Sequence, residues 1–143
     1  MNIYDSFMYF DEDMMLDLRF NILNKDVKKF IISESKFTHN GTKRTLKFNI
    51  NNFKKFKDKI EYVVVENLPE SIEDINENDS IDTKNSKILT NALKRENHQR
   101  NMLMKGIKDV QDEDVIIVSD TDEIPNLENF KYTSKLNFFV QKM

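Results

Sequence analysis

Four short apolar runs divide this chain, and the segments between them are polar or follow a helical period. The runs occupy residues 3–10, 27–33, 60–65 and 115–119 and are rich in Phe, Tyr, Ile and Val. Short runs of β-branched and aromatic residues are typical of buried strands. Each run is therefore predicted to form a strand.

Helical periods lie between the predicted strands. The predicted helices occupy residues 14–24, 53–59 and 86–108, and the middle one is short and basic. Met15, Leu18 and Ile22 fall on one face of the first helix. Strands that alternate with helices favour a parallel sheet with crossover connections, which predicts an α/β fold.

The remaining segments are predicted loops, apart from the tail. Residues 36–44 contain the turn pair Asn40-Gly41, and residues 70–84 are polar and acidic without a period. Residues 126–143 are predicted to hold a short helix and a last strand at 136–140. Because no repeat or change of composition divides the chain, residues 1–143 are predicted to form one domain.

Composition narrows the chemistry that the chain can perform. It has 143 residues, 38% of them hydrophobic and 33% charged, which is typical of a soluble globular domain. The net charge of −3 gives no basic field for nucleic acid. With no cysteine and only His39 and His98, a metal ion would need oxygen ligands. We find neither a signal peptide nor a spanning segment, which predicts a cytoplasmic protein.

The run at residues 115–119 leads directly into Asp120-Thr121-Asp122-Glu123-Ile124-Pro125. In open α/β sheets, ligands bind beyond the carboxyl ends of the strands. Asp120 and Asp122 are therefore predicted to bind Mg²⁺ or Mn²⁺, which can hold a diphosphate. The alternative is an acidic solvated loop. Glu123 either supports the metal ligands or is simply exposed.

A stripe of apolar and charged residues runs along the long predicted helix, at alternating spacings of four and three residues. Its members are Leu89, Leu93, Glu96, Arg100, Leu103 and Ile107. The apolar members are predicted to face the sheet. Glu96 and Arg100 can pair at this spacing, either as a structural ion pair or with Glu96 orienting Arg100 towards a donor pocket.

Two further pairs are candidates for contacts with a nucleotide donor. Glu34 and Ser35 end the second predicted strand, at the same sheet edge as Asp120, where a carboxylate could accept hydrogen bonds from a base or ribose. Tyr4 and Asp5 lie on the first strand, where an aromatic ring could stack on uracil. The alternative for Glu34 and Ser35 is a strand end that meets water. The alternative for the first strand is core packing.

A family resemblance rests on ordered blocks that cover essentially the whole chain. The blocks are Ile3-Tyr4-Asp5-Ser6-Phe7-Met8-Tyr9-Phe10, Glu12 with Leu16-Asp17-Leu18-Arg19, Phe30-Ile31-Ile32-Ser33-Glu34-Ser35, Thr38 with Gly41, Leu46-Lys47-Phe48, Glu96 with Gln99-Arg100-Asn101, and Ser119-Asp120-Thr121-Asp122-Glu123-Ile124-Pro125. In this order they resemble glycosyltransferase family 17, the family of β-1,4-mannosyl-glycoprotein β-1,4-N-acetylglucosaminyltransferase.

The resemblance implies a GT-A-like, Rossmann-type fold, a UDP-N-acetylglucosamine donor, a glycan acceptor, a divalent metal and inversion at the anomeric carbon. Arg19 and Glu123 are expected to lie behind the donor and metal ligands. An inverting transfer needs a general base, which is expected after the D-x-D and is not placed.

The chain ends soon after the D-x-D segment, so we expect the donor-binding portion of such a fold, truncated after that strand. A partner chain would then supply the acceptor half. The alternatives are a non-catalytic module that binds nucleotide sugars and a metal-dependent phosphotransferase or nucleotidyltransferase.

Overall fold

The computed structural model describes residues 1–128 and residue 130. The strands are β1 (Ile3–Tyr9), β2 (Lys29–Ser35), β3 (Ile60–Val65) and β4 (Val115–Ser119). The α-helices are α1 (Asp13–Leu23) and α2 (Ile81–Met102), and two 3₁₀ helices span Ile50–Lys59 and Leu103–Gly106. The strand predicted at 136–140 lies outside the described residues.

The four strands form one sheet in the order β3-β2-β1-β4, and every pair is parallel. This confirms the predicted α/β fold. β1 is central and is buried on both faces, whereas β4 lies at an edge of the described sheet. β2 and β3 continue from β1 to one side, while β4 pairs on the other. The topological switch point of this sheet therefore lies between β1 and β4.

One face of the sheet is covered by α1 and the first 3₁₀ helix, which meet in an aromatic cluster. The ring of Phe20 on α1 lies 4.7 Å from Phe30, 5.3 Å from Phe53 and 5.2 Å from Phe56, between centroids. The buried face of α1 comprises Leu16, Arg19, Phe20 and Leu23. The predicted face was wrong, because Leu18 and Ile22 are exposed and the residues beside them meet the sheet.

The other face is covered by the C-terminal part of α2. Gln99 Nε2 donates to the Ser33 carbonyl at 3.0 Å, and Leu103 packs on Ile31 one turn later. A step of four helical residues and one of two strand residues each span about 6 Å, so α2 runs antiparallel to β2. The residues of α2 before Glu96 therefore lie beyond the carboxyl edge of the sheet.

The apolar stripe predicted along the long helix, which runs from α2 into the second 3₁₀ helix and Ile107, is only partly buried as a result. Leu103 is buried and Ile107 packs beside it, as predicted, but Leu89 and Leu93 are 66% and 51% exposed. The prediction that these two leucines face the sheet was wrong, because their half of the helix projects past it. The predicted bounds of the helix were wrong at both ends. α2 begins earlier, where the Ser80 hydroxyl accepts from the Thr83 amide, and it ends at Met102, where the second 3₁₀ helix follows.

The half of α2 that projects past the sheet packs instead on the loop that precedes the helix. The Asn91 side chain, the buried residue of α2, bonds to both the amide and the carbonyl of Glu73, at 2.9 and 2.8 Å. Lys94 Nζ donates to the Ser71 carbonyl at 2.8 Å. Although α2 is the longest helix described, no described helix has both the length and the apolar composition for crossing a membrane.

Candidate functional site

A cavity of about 650 Å³ opens where β1 and β4 end, at the switch point of the sheet. Residues 8–15, which lead from β1 into α1, form one part of its lining. His39, Glu96 and Gln99 form a second part, and residues 120–122 form a third. The volume lies within the range of pockets that hold small ligands and cofactors.

The D-x-D segment turns at this cavity, immediately after β4. The Glu123 amide donates to the Asp120 carbonyl at 3.0 Å, and the Glu123 carboxylate accepts from the Asp120 amide at 3.2 Å. Thr121 is buried, and its hydroxyl donates to the Met8 carbonyl of β1. With Thr121 anchored inwards, Asp120 and Asp122 are left exposed and both line the cavity.

The buried guanidinium of Arg19 lies directly behind this turn. Its Nε and Nη2 donate to the two carboxylate oxygens of Asp5, at 2.8 and 2.7 Å, and both side chains are fully buried. The guanidinium carbon also lies 4.4 Å from the centre of the Phe7 ring. A paired, two-pronged contact of this kind fixes the guanidinium in one plane.

Arg19 uses its remaining donors on the turn itself. Nη1 donates to the carbonyls of Asp120, Thr121 and Glu123 at 2.7, 3.0 and 3.2 Å. Nη2 donates to the Ser119 hydroxyl at 2.6 Å. One buried cation thus fixes the backbone that presents both aspartates. Glu123 is exposed and closes the same turn through its bonds to the Asp120 backbone, so the expected supporting roles of Arg19 and Glu123 remain predictions.

The pair predicted on α2 reaches the same turn. Arg100 Nη2 lies 3.1 Å from a carboxylate oxygen of Glu96 and 3.2 Å from one of Asp120. The bridge therefore joins α2 to the D-x-D turn. Because Arg100 and Asp120 are partly exposed, this contact can rearrange when a ligand enters, unlike the buried pair of Arg19.

The donor set at the turn fits a hard divalent cation. Asp120 and Asp122 offer carboxylate oxygens, the ligands that Mg²⁺ and Mn²⁺ prefer. Among the described residues, no cluster of three or more His, Cys, Asp or Glu side chains could enclose a metal. Sites with one or two protein carboxylates are typical of ions that also bind the phosphates of a substrate.

The comparison with protein families gives a match over residues 1–141 to the model of glycosyltransferase family 17. The chain belongs to glycosyltransferase family 17. No curated protein and no solved structure matches it. The family and the parallel α/β sheet together identify a glycosyltransferase with a Rossmann-like fold.

Two of the residues predicted to bind the nucleotide donor of this family 17 member lie below the cavity. Tyr4 is near the amino end of β1, and its hydroxyl donates to the Asp109 carbonyl at 3.3 Å. Asp5 is fully buried against Arg19. Neither lines the cavity. Both precede the carboxyl end of β1 by several residues, and the structure gives them packing and ion-pair contacts.

The other two candidates, Glu34 and Ser35, are also buried. β2 continues to Ser35, so Glu34 lies inside the strand, not beyond its end. The Glu34 carboxylate accepts from the amides of Lys47 and Phe48 at 2.8 and 3.0 Å and from the Tyr62 hydroxyl at 2.8 Å. Burial and this last bond raise the pKa of Tyr62. Glu34 thus anchors a loop and does not line the cavity.

Several lining residues were not candidates in the sequence analysis. Phe10, Asp11 and His39 all line the cavity of this family 17 member. Phe10 and Asp11 follow β1 directly, so the rule that predicted Asp120 applies equally to them. No such signal points to His39 in the sequence. Its place at the cavity depends on a contact between distant residues, in which Arg95 Nη1 of α2 donates to the His39 carbonyl at 2.8 Å.

Proposed function

We propose that this chain binds UDP-N-acetylglucosamine with a divalent metal at Asp120 and Asp122. It would transfer the sugar to a glycan acceptor with inversion at the anomeric carbon. The observation that carries the proposal is the D-x-D turn, whose backbone is fixed by buried Arg19 and whose carboxylates open into the cavity. Family membership supports the class of reaction.

The side chains of the turn and the two arginines that contact it then have distinct roles. Asp120 and Asp122 would hold the ion, which would supply positive charge to neutralise the diphosphate as a leaving group. Arg19 keeps the turn in its binding geometry before the donor arrives, which lowers the cost of ordering the site. Arg100 orients Asp120 and places a positive charge at the edge of the site.

The acceptor hydroxyl also needs a general base. Glu12 and Asp13 line the cavity, but their carboxylates accept hydrogen bonds from the Phe10 amide and from the Tyr9 hydroxyl. Asp11 directly precedes them and also lines the cavity, and its carboxylate has no such bond among the described residues. Asp11 is therefore the residue that we propose to test as the base.

The deciding experiment is calorimetric titration of UDP-N-acetylglucosamine into the protein, with Mn²⁺ and with EDTA. We expect binding that requires Mn²⁺ and that falls at least about tenfold in Asp122→Asn, which keeps the shape but removes the charge. The matched control is Asp112→Asn, an exposed aspartate outside the cavity lining. Binding that is absent, or equal with EDTA, would refute the proposed site.

The alternative is a module that binds the nucleotide sugar but requires a partner chain for transfer. The observation that favours it is that only one carboxylate of the described lining other than the D-x-D pair, that of Asp11, has no hydrogen bond or ion pair within the described part of the protein, so these residues offer a single candidate base. Release of UDP in the presence of glycan acceptors separates the two. Metal-dependent binding without turnover favours the module, whereas turnover that Asp11→Asn abolishes supports the transferase with Asp11 as base.

A further inference from the structure

Phe10 presents an aromatic ring to the cavity. Its side chain lines the cavity and is 43% exposed, whereas neighbouring Tyr9 is buried. A single exposed aromatic residue is common on protein surfaces and shows nothing alone. The contacts behind the Phe10 ring distinguish it from an ordinary surface residue.

A largely buried arginine side chain packs against this ring. The guanidinium carbon of Arg44 lies 4.1 Å from the ring centre, and the Arg44 side chain is only 10% exposed. Arg44 is held by the Glu34 carboxylate at 3.1 Å, by the Ser35 carbonyl at 3.2 Å and by the carbonyl of Phe10 itself. The ring is therefore covered by a cation that cannot easily move, while the exposed part of its surface is left to the cavity.

A flat aromatic surface in a cavity of this size suits a nucleobase. Every base has a π face, so stacking on an aromatic side chain needs no particular hydrogen-bonding edge. The same cavity contains Asp120 and Asp122, the proposed ligands of the metal and, through it, of the diphosphate. One nucleotide could thus use both features.

We propose that Phe10 is the surface on which the nucleobase of the donor stacks. This inference rests on the proposed function, because it requires a nucleotide in the cavity. Arg44 acts through Phe10 as a positioning residue, and Glu34 in turn holds Arg44.

The chain contains no tryptophan, which allows a direct optical test. Phe10→Trp would introduce the only indole, and stacking of a base on it would quench its fluorescence. We expect UDP with Mn²⁺ to quench the signal and pyrophosphate with Mn²⁺ to leave it unchanged. The control is Leu18→Trp on α1, a position that is 48% exposed and outside the cavity lining.

A second variant measures what the ring contributes to affinity. Phe10→Leu keeps an apolar side chain but removes the π face, and we expect it to weaken UDP binding about 5- to 100-fold. Its affinity for pyrophosphate with Mn²⁺ should stay unchanged. Leu18→Ala, at similar exposure, should bind both like wild type.

The outcomes separate this inference from the function on which it rests. If wild-type protein binds neither UDP nor the UDP-sugar, both proposals are overturned. If it binds them while Phe10→Leu binds equally well and the Phe10→Trp signal does not change, only the stacking proposal is overturned.

Discussion

Asp5→Asn is the substitution that tests most directly how the D-x-D turn is supported. The change keeps the shape of the side chain but replaces one carboxylate oxygen by an NH₂ group that faces the Arg19 guanidinium. Arg19 Nε and Nη2 now donate to the two oxygens at 2.8 and 2.7 Å, so one of these bonds becomes a donor–donor contact. The positive charge of Arg19 then stays buried without its counter-ion.

The expected cost is large for a substitution that changes no side-chain shape. Removing one partner of a buried ion pair destabilises proteins by about 3–5 kcal/mol. Domains of this size are stable by about 5–15 kcal/mol, so the variant should fold but lose a substantial share of its stability. The matched control is Glu61→Gln, which breaks a surface pair with the exposed Lys108 and should cost less than about 1 kcal/mol.

Urea unfolding followed by circular dichroism measures both free energies. Because Arg19 also holds the turn carbonyls, Asp5→Asn should weaken Mn²⁺-dependent UDP binding under conditions where the variant is fully folded, whereas Glu61→Gln should not. A loss of stability in Asp5→Asn that equals that of Glu61→Gln would refute the reasoning. It would mean that water or another group satisfies the Arg19 charge.

Three further predictions concern packing and pH. Gly106→Ala should lower the free energy of unfolding by about 1–3 kcal/mol in urea titrations, because its Cβ would lie 2.6 Å from the buried Ile31 side chain. Ser33→Ala should change that free energy by less than about 0.5 kcal/mol, since the buried Ser33 hydroxyl has no partner among the described residues. The hydrogen bond from Lys94, followed by its charge, lowers the pKa of Glu73, so a carbon-13 NMR titration should find a midpoint below 4.5 that rises in Lys94→Gln. The pair therefore stabilises the fold above the ordinary pKa of a glutamate and is lost as the pH falls through the lowered value.

Local pattern was enough to predict the framework of this fold. The boundaries of β3 and β4 agree with the prediction to the residue, because each is a short segment dominated by β-branched residues and flanked by polar or turn-forming residues. The parallel arrangement followed from the alternation of strands and helices. At the site, the i,i+4 spacing of Glu96 and Arg100 correctly predicted their pairing.

What the pattern could not predict depends on contacts between distant parts of the chain. Glu34 was predicted at an open strand end, either as a ligand of the donor or as a solvated carboxylate, but the Lys47 and Phe48 amides cover it from a loop that has no recognisable period. Leu89 and Leu93 lie on the stripe of α2 that continues into the core, yet periodicity does not say where the sheet beneath a helix ends. Arg19 occupies a core position that is tolerated because it pairs with Asp5 and donates to the carbonyls of the turn.

The charge of the cavity bears on the proposed role of the metal. Carboxylates from residues 11–13, from Glu96 and from the two aspartates of the turn line it, whereas no Lys or Arg side chain belongs to the described lining. Arg100 contributes a positive charge only at the edge, and Glu96 and Asp120 already share it. A diphosphate entering alone would meet mostly like charge, so we expect its binding to require a divalent cation from solution. The fixed turn and the acidic lining therefore favour the same hypothesis: the protein binds the donor only together with a divalent ion.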